Sequence, residues 1–355
     1  MRSMLPFQRL PERNGLWGVI LPRLGEEREP GPLGEAGQIA RIDPAGVQFV
    51  RIQRMGWRGA GWVLGAGGGL MAALMFAPLL WSFLHAGHRL GPVVAASMCA
   101  ILLLPLLAGA LTAYRARTLE LPPPVVLSRR LRRFYQWRGN REGWVSVAAD
   151  TGTAVIQAAA VVTQAGGDMG YRLHVVEFDA GSRAIRKQVA ISEVVSDPDE
   201  LAWLWDFLCR YLDEAPERLP AVRNAGFEGE GAWLARADRY LFSGLVDGEH
   251  RLVPGRFNAF RFYFAAVLEY WYLRCGAWIE GKASTPAYPP DLADAMRWGG
   301  ANPYAREAAS PAQQAASRGD LDHFRRRWRI VAVLSTLLYG GIFVGMIAIG
   351  WLVLV

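Results

Sequence analysis

Residues 61–84 read GWVLGAGGGLMAALMFAPLLWSFL, residues 85–92 HAGHRLGP, and residues 93–113 VVAASMCAILLLPLLAGALTA. Gly61 to Leu84 carries no charge. At ~1.5 Å per helical residue it is long enough to cross ~30 Å of hydrocarbon. Val93 to Ala113 is the same kind of run, and a short connector with one arginine, Arg89, joins the two. Two such runs in sequence predict a transmembrane helical hairpin. Trp57, Trp62 and Trp81 lie near the ends of the first run, where interfacial aromatics belong. Gly61, Gly65 and Gly69 recur every fourth residue, a small-xxx-small face on which another helix can pack closely.

The flanks of the hairpin set its orientation. Arg51, Arg54 and Arg58 precede it. Arg115, Arg117, Arg129, Arg130, Arg132 and Arg133 follow it, with only Glu120 opposing them. Under the positive-inside rule both flanks are cytoplasmic and the connector lies outside. A third apolar run, Ile330 to Val355, follows Arg325, Arg326, Arg327 and Arg329, which places the intervening chain in the cytoplasm and the C-terminus in the periplasm. Gly341 and Gly345 form a second small-xxx-small pair, able to meet the first span. These arginines are expected to face the inner leaflet, so the bilayer is a partner and anionic headgroups are within reach.

The bulk numbers agree with a few spans plus a soluble part. The chain has 355 residues, 52% of them hydrophobic and 20% charged, with a net charge of +7. The basic balance is carried by arginine, since Lys187 and Lys282 are the only lysines. Basic residues gather beside the apolar runs, which points to lipid and topology rather than nucleic acid. The three cysteines, Cys99, Cys209 and Cys275, are odd in number and widely spaced, so no disulfide framework or zinc site is expected.

Between the spans the pattern is strand-rich. Residues 1–58 read as a loosely structured cytoplasmic arm with short strands around Gln38–Ile42 and Val47–Ile52, and the hairpin occupies 59–114. In 115–216, after a stiff Leu121–Pro124 exit, strands are expected at Val125–Ser128, Leu131–Trp137, Gly143–Ala148, Tyr171–Phe178 and Ala184–Ile191. Asp179–Ser182 reads as a turn, and Thr153–Thr163 fits either helix or strand. A helix starts at Asp197, with Pro198 at its first position and Glu200 three residues after the cap. Leu201, Leu204, Trp205, Leu208, Tyr211 and Leu212 recur at helical spacing behind it. Strands closed by one helix suggest a small barrel or curved sheet of the pleckstrin-homology-like kind, an analogy of architecture alone.

Residues 217–328 form a helical, aromatic-rich, membrane-proximal region. Trp233–Phe242 reads as helix. Arg256–Cys275 reads as a helix too charged to span, either a core helix or one lying in the membrane interface. Ser284–Pro290 and Asn302–Gly319 read as linkers, and 329–355 is the last span. The fold class is therefore an α+β membrane protein: an N-terminal transmembrane hairpin, a cytoplasmic β-rich domain with a closing helix, and a C-terminal transmembrane helix.

Chemistry is harder to find. There is no P-loop, GxSxG, HExxH or dinucleotide fingerprint. The five histidines, His85, His88, His174, His250 and His323, are dispersed. Asp197, Asp199 and Glu200 are explained by capping, and Glu228 and Glu230 by a solvated GFEGEG loop. No ionisable residue lies inside a span, which argues against an ion pathway. No catalytic residue, metal or cofactor is expected.

From Leu121 to Pro220 the segments PPPVVLSRRLRRFYQWR, YRLHVVEFDAG and LAWLWDFLCRYLDEAPERLP follow a membrane hairpin. Over about Trp57 to Leu245 the chain resembles a family of uncharacterised proteobacterial inner-membrane proteins, often encoded near type VI secretion genes. The resemblance implies a secretion-associated or immunity-type role and assigns no functional residue. The leading reading is a non-enzymatic inner-membrane protein whose cytoplasmic domain binds a partner protein. The alternatives are a membrane-bound enzyme or toxin with unrecognised catalytic residues, and an anionic-lipid sensor.

Overall fold

The computed structural model describes residues 8–9, 17–26, 33–34, 37–50, 55–74, 81, 92–118, 120–163, 166–179, 185–195, 197–223, 232–242 and 244–352. The connector 85–91, the expected turn at 180–182 and the GFEGEG loop lie outside the described residues. The fold is mixed α+β, with two antiparallel sheets and an apolar C-terminal helix. It divides into two compact units, each built from three separated stretches of chain: residues 1–53, 122–226 and 285–309 in the first, and 54–121, 227–284 and 310–355 in the second.

The first unit holds both sheets. One has the order β1 (Gln8–Arg9), β2 (Trp17–Ile20), β8 (Thr153–Thr163), β9 (Gly166–Phe178), β10 (Ile185–Ala190). The other runs β3 (Ile39–Asp43), β4 (Gly46–Phe49), β5 (Val126–Ser128), β6 (Arg133–Trp137), β7 (Trp144–Ala148). The five expected strands of the 115–216 segment are therefore present, and the ambiguous Thr153–Thr163 is a strand along its full length. Its alanines could sit in a helix. Pairing with β9 from Thr153↔Val176 to Thr163↔Gly166 decides the matter, because one long partner satisfies a backbone that local propensity leaves open.

The arm is more ordered than its composition suggests. Asp43 Oδ1 accepts from the N–H groups of Ala45 (2.9 Å) and Gly46 (3.2 Å), which closes the turn between β3 and β4. β4 then pairs with β5, and β2 pairs with β8, so the arm supplies strands to both sheets. Val19, Leu21, Ile39, Ile42, Val47 and Phe49 are buried in the common core. Single-strand stretches this short carry no local sign of partners a hundred residues away.

The helix after β10, α3 (Pro198–Asp213), forms as its caps dictate: Asp197 Oδ1 accepts from the Asp199 N–H at 3.0 Å. Its apolar stripe buries Leu201, Leu204, Trp205, Leu208 and Tyr211 against the sheets. Phe134 lies between Phe49 and Trp205, with ring centroids at 6.5 and 6.2 Å. The Trp205 indole N–H donates to the Pro22 carbonyl at 2.8 Å.

Residues 285–309, expected as linker in part, return to this unit. They carry α4 (Pro290–Ala295), whose Leu292 is fully buried beside Val126 and Tyr135, and β12 (Arg306–Glu307), which pairs parallel with β11 (Val222–Arg223). Asn302 Nδ2 donates to the Ile42 carbonyl at 2.8 Å.

The second unit is helical. It contains α1 (Met55–Trp62), continued through one π turn at Val63–Gly67, then α2 (Pro92–Thr118) and α5 (Ala232–Tyr240). The others are α6 (Asn258–Glu280), α7 (Pro311–Arg318) and α8 (Asp322–Leu352). α7 falls where a linker was expected. Its signal was legible: Ser310 and Gln313 form a reciprocal capping box, Pro311 occupies the first turn, and Gly319 closes the helix at φ 80°. The segment Pro311–Ala348 contains the one described helix long and apolar enough to cross a membrane.

Phe134→Ala is expected to lower the unfolding free energy by about 3–5 kcal/mol, because it empties the ring stack between the sheets and α3. Denaturant unfolding monitored by near-ultraviolet circular dichroism measures it; a loss below about 1 kcal/mol would contradict this packing.

Candidate functional site

The glycines of the first apolar run pack on the second. A Cβ at Gly109 of α2 would run into the Gly65 carbonyl and meet Gly69 Cα at 3.1 Å, and a Cβ at Gly65 would meet Thr112 Cβ at 2.8 Å. Only glycine allows this approach, and the π turn over Val63–Gly67 sits at it. Gly61 is half-buried. Gly341 and Gly345 have nothing within 4 Å of a Cβ among the described residues. α8 packs instead on α6, where the Tyr339 hydroxyl donates to the Leu268 carbonyl at 2.9 Å.

The arginines expected at a membrane surface divide into two groups. Arg115, Arg117, Arg130, Arg133, Arg325, Arg326 and Arg329 are exposed. Arg129, Arg132 and Arg327 are engaged inside their units. Arg129 donates from Nη1 to the Tyr304 hydroxyl (2.7 Å) and from Nη2 to the Glu214 carbonyl (2.8 Å), and lies 5.3 Å from the Tyr211 ring centroid. It thus ties the β5–β6 turn to the open C-terminal end of α3, where a cation is favoured. Arg132, held at φ 48°, bridges Asp150 (2.7 Å) and Asp213 (3.1 Å). These hydrogen bonds hold its guanidinium above the ordinary arginine range.

Arg327 is the most consequential departure. It is buried, and it pairs through Nη2 with Asp238 Oδ2 of α5 and donates through Nη1 to the His250 carbonyl at 2.9 Å. The His250 Nδ1 lies 3.0 Å from the same carboxylate oxygen. Arg327 also lies 4.6 Å from the Phe262 ring centroid and 5.9 Å from that of Phe324, and His250 sits at φ 59°. Asp238 and His250 escaped the sequence reading. The signal was present: Asp238 falls on the stripe Ala235, Asp238, Phe242, so a carboxylate stands where an apolar residue is expected. A buried carboxylate needs a cation, and only the folded chain brings Arg327 from α8 to supply it.

His174, on β9, is buried. Burial first, then the Arg172 and Arg138 charges, push its pKa down to about 3, and its Nδ1 lies 2.7 Å from Gln188 Nε2. Among the described residues no three His, Cys, Asp or Glu side chains gather as a metal site.

The remaining feature is apolar surface. On α2, Leu104 and Leu107 are 64% and 63% exposed; on α8, Leu337 and Val344 are 66% and 64% exposed. Whole helical faces of this kind exceed what soluble surfaces normally leave uncovered. Comparison with family models, curated proteins and solved structures finds no match.

Two measurements test these clusters. Arg327→Met is expected to cost about 3–5 kcal/mol by removing the cation from the buried Asp238 carboxylate and leaving it only the His250 contact, and adding Asp238→Leu is expected to recover most of it. Equal losses in the single and double variants, read from thermal unfolding of the full chain, would contradict the pairing. For His174 the folded pKa lies below the unfolded value near 6.5, so its contribution is complete above about pH 6.5 and declines as pH falls toward 3. His174→Gln is therefore expected to flatten the stability profile between about pH 6.5 and 5, where carboxylates contribute little. An unchanged slope in that window would contradict it.

Proposed function

We propose that this chain is a non-enzymatic protein of the bacterial inner membrane. The helical unit anchors it, and the sheet unit binds a partner protein in the cytoplasm. The observation that carries the anchoring is the row of exposed leucines on α2, together with the exposed Leu64, Leu70 and Leu74 on the helix it packs against. Such a surface is stable in lipid and a liability in water. The arginines after α2, with the uncharged stretch before them, support a cytoplasmic sheet unit.

In the sheet unit, four polar side chains at its junctions serve the fold. Asp43, Arg129, His174 and Tyr211 each hold a structural contact, which favours a binding role over chemistry. Two antiparallel sheets followed by a helix also support the pleckstrin-homology-like analogy. The resemblance of residues 57–245 to inner-membrane proteins encoded near type VI secretion genes supports an accessory or immunity role in a secretion system.

Reporter fusions at Gly87 and Gly181 are expected to give periplasmic and cytoplasmic signals respectively, and the detergent-extracted chain is expected to bring down one protein in stoichiometric amount. Toxicity on expression, relieved by a neighbouring gene product, would replace this reading with that of a toxin.

A further inference from the structure

Packing inside the helical unit fixes how far along each helix its neighbours sit. α6 and α8 run the same way: Phe262 meets Trp328 with ring centroids at 5.8 Å, and further along Tyr272 meets Tyr339 at 6.2 Å. α1 also runs with α6, since Gly59 lies against the Tyr272 backbone and Trp62 meets Trp278 at 5.7 Å. α2 returns along α1, with Gly109 on Gly65. Just past α2, the Leu121 N–H donates to the Ser284 carbonyl, just past α6, at 2.9 Å. The base of the α1–α2 pair is therefore level with the C-terminal end of α6. It is not level with the arginine-rich start of α8, which lies more than roughly 16 Å back along the bundle at ~1.5 Å per residue.

A distinct set of side chains stands at that base. Trp278 is 43% exposed, and the Lys282 ammonium lies 4.7 Å from its ring centroid. Tyr114 is 65% exposed, and Arg115 and Arg117 beside it are exposed. The stretches of sequence that adjoin the collar residues, Val63 to Leu84 and Val93 to Ala113, carry no charge. Behind it, α6 exposes Arg274, Arg261 and Arg256.

Two levels for the bilayer surface compete. A surface at Arg325–Arg329 buries the apolar run of α8, but draws Arg274, Lys282, Arg115 and Arg117 into hydrocarbon beside it. A surface at the collar keeps all of these in the headgroup layer; it leaves the exposed Val333, Leu334, Leu337 and Leu338 of α8 and Phe260 and Phe264 of α6 on the cytoplasmic side, a smaller cost than four charges in hydrocarbon at about 2.5–3.5 kcal/mol each. We propose that Trp62, Tyr114, Arg115, Arg117, Trp278 and Lys282 form a binding collar for anionic phospholipid headgroups. The collar sets the cytoplasmic surface of the membrane. The aromatic rings sit at headgroup depth and the cations meet the phosphates. The consequence for α8 is that Val333 to Leu338 lies on the cytoplasmic side, alongside α6, rather than spanning in register with the hairpin. This inference rests on the membrane reading above.

The test uses the full chain in phosphatidylethanolamine nanodiscs containing roughly a third phosphatidylglycerol, the anionic lipid. p-Benzoylphenylalanine replaces Leu107, Trp278 or Leu337 in separate variants. Phospholipid adducts are expected at positions 107 and 278. Phosphatidylglycerol at 278 is expected to exceed its bulk share at least about twofold, and position 337 to form no lipid adduct. The triple variant R115Q/R117Q/K282Q is expected to return the 278 adducts to the bulk composition. A lipid adduct at 337, a protein adduct or none at 278, or enrichment that survives the triple variant would each overturn the collar. Loss of the adduct at 107 as well would overturn the membrane reading itself, so the two failures are separable.

Discussion

Tyr211 ties together all three stretches of chain that build the sheet unit. Its hydroxyl donates to the Asp43 carbonyl at 2.6 Å, at the β3–β4 turn. Its ring lies under Arg129, from the β5–β6 turn, and 5.3 Å from the Tyr304 ring, on the returning segment. Burial raises the phenol far above its ordinary pKa, so it stays a neutral donor at any physiological pH. The net worth of one such bond is about 1 kcal/mol, yet the positions it joins span most of the chain. Without it the Asp43 carbonyl is left buried, and Arg129 loses the ring it lies over.

The helical unit meets the same demand with different chemistry. Asp238, His250 and Arg327 bring together α5, the following loop and the start of α8 through one carboxylate oxygen. In both units a polar group buried at a junction is the point where distant segments are matched. A misplaced segment leaves that group unpaired, which costs more than any single apolar contact returns. The Gly65–Gly109 approach is the apolar version: backbone meets backbone, and specificity comes from the absence of side chains.

Much of the fold was legible in the sequence. The strands β5 to β7, β9 and β10 and the caps of α3 announce themselves through alternation, turn residues and the Asp197–Pro198 start. What stayed hidden is instructive. β2 is four residues long and gains its identity from β8; α4 and α7 lie in Pro- and Ala-rich chain that looks like linker. The arginines misled in a specific way. A cluster beside an apolar run has one meaning for topology, but Arg132 and Arg327 are also the cations that Asp213 and Asp238 require, and Arg129 satisfies the Glu214 carbonyl at the end of α3.

By itself the sequence determined that this chain has uncharged runs long enough to cross a bilayer, arginine-rich flanks beside them, and a strand-rich segment closed by a capped helix. Those properties are local: length, charge and period are written residue by residue. Only the tertiary structure decided that the arm belongs to both sheets, and that residues 285–309 return to them. It alone decided that α8 lies along α6 and that Gly65 meets Gly109. Each of those depends on which distant group satisfies a buried polar atom or fills a glycine face, and no window of sequence contains both partners.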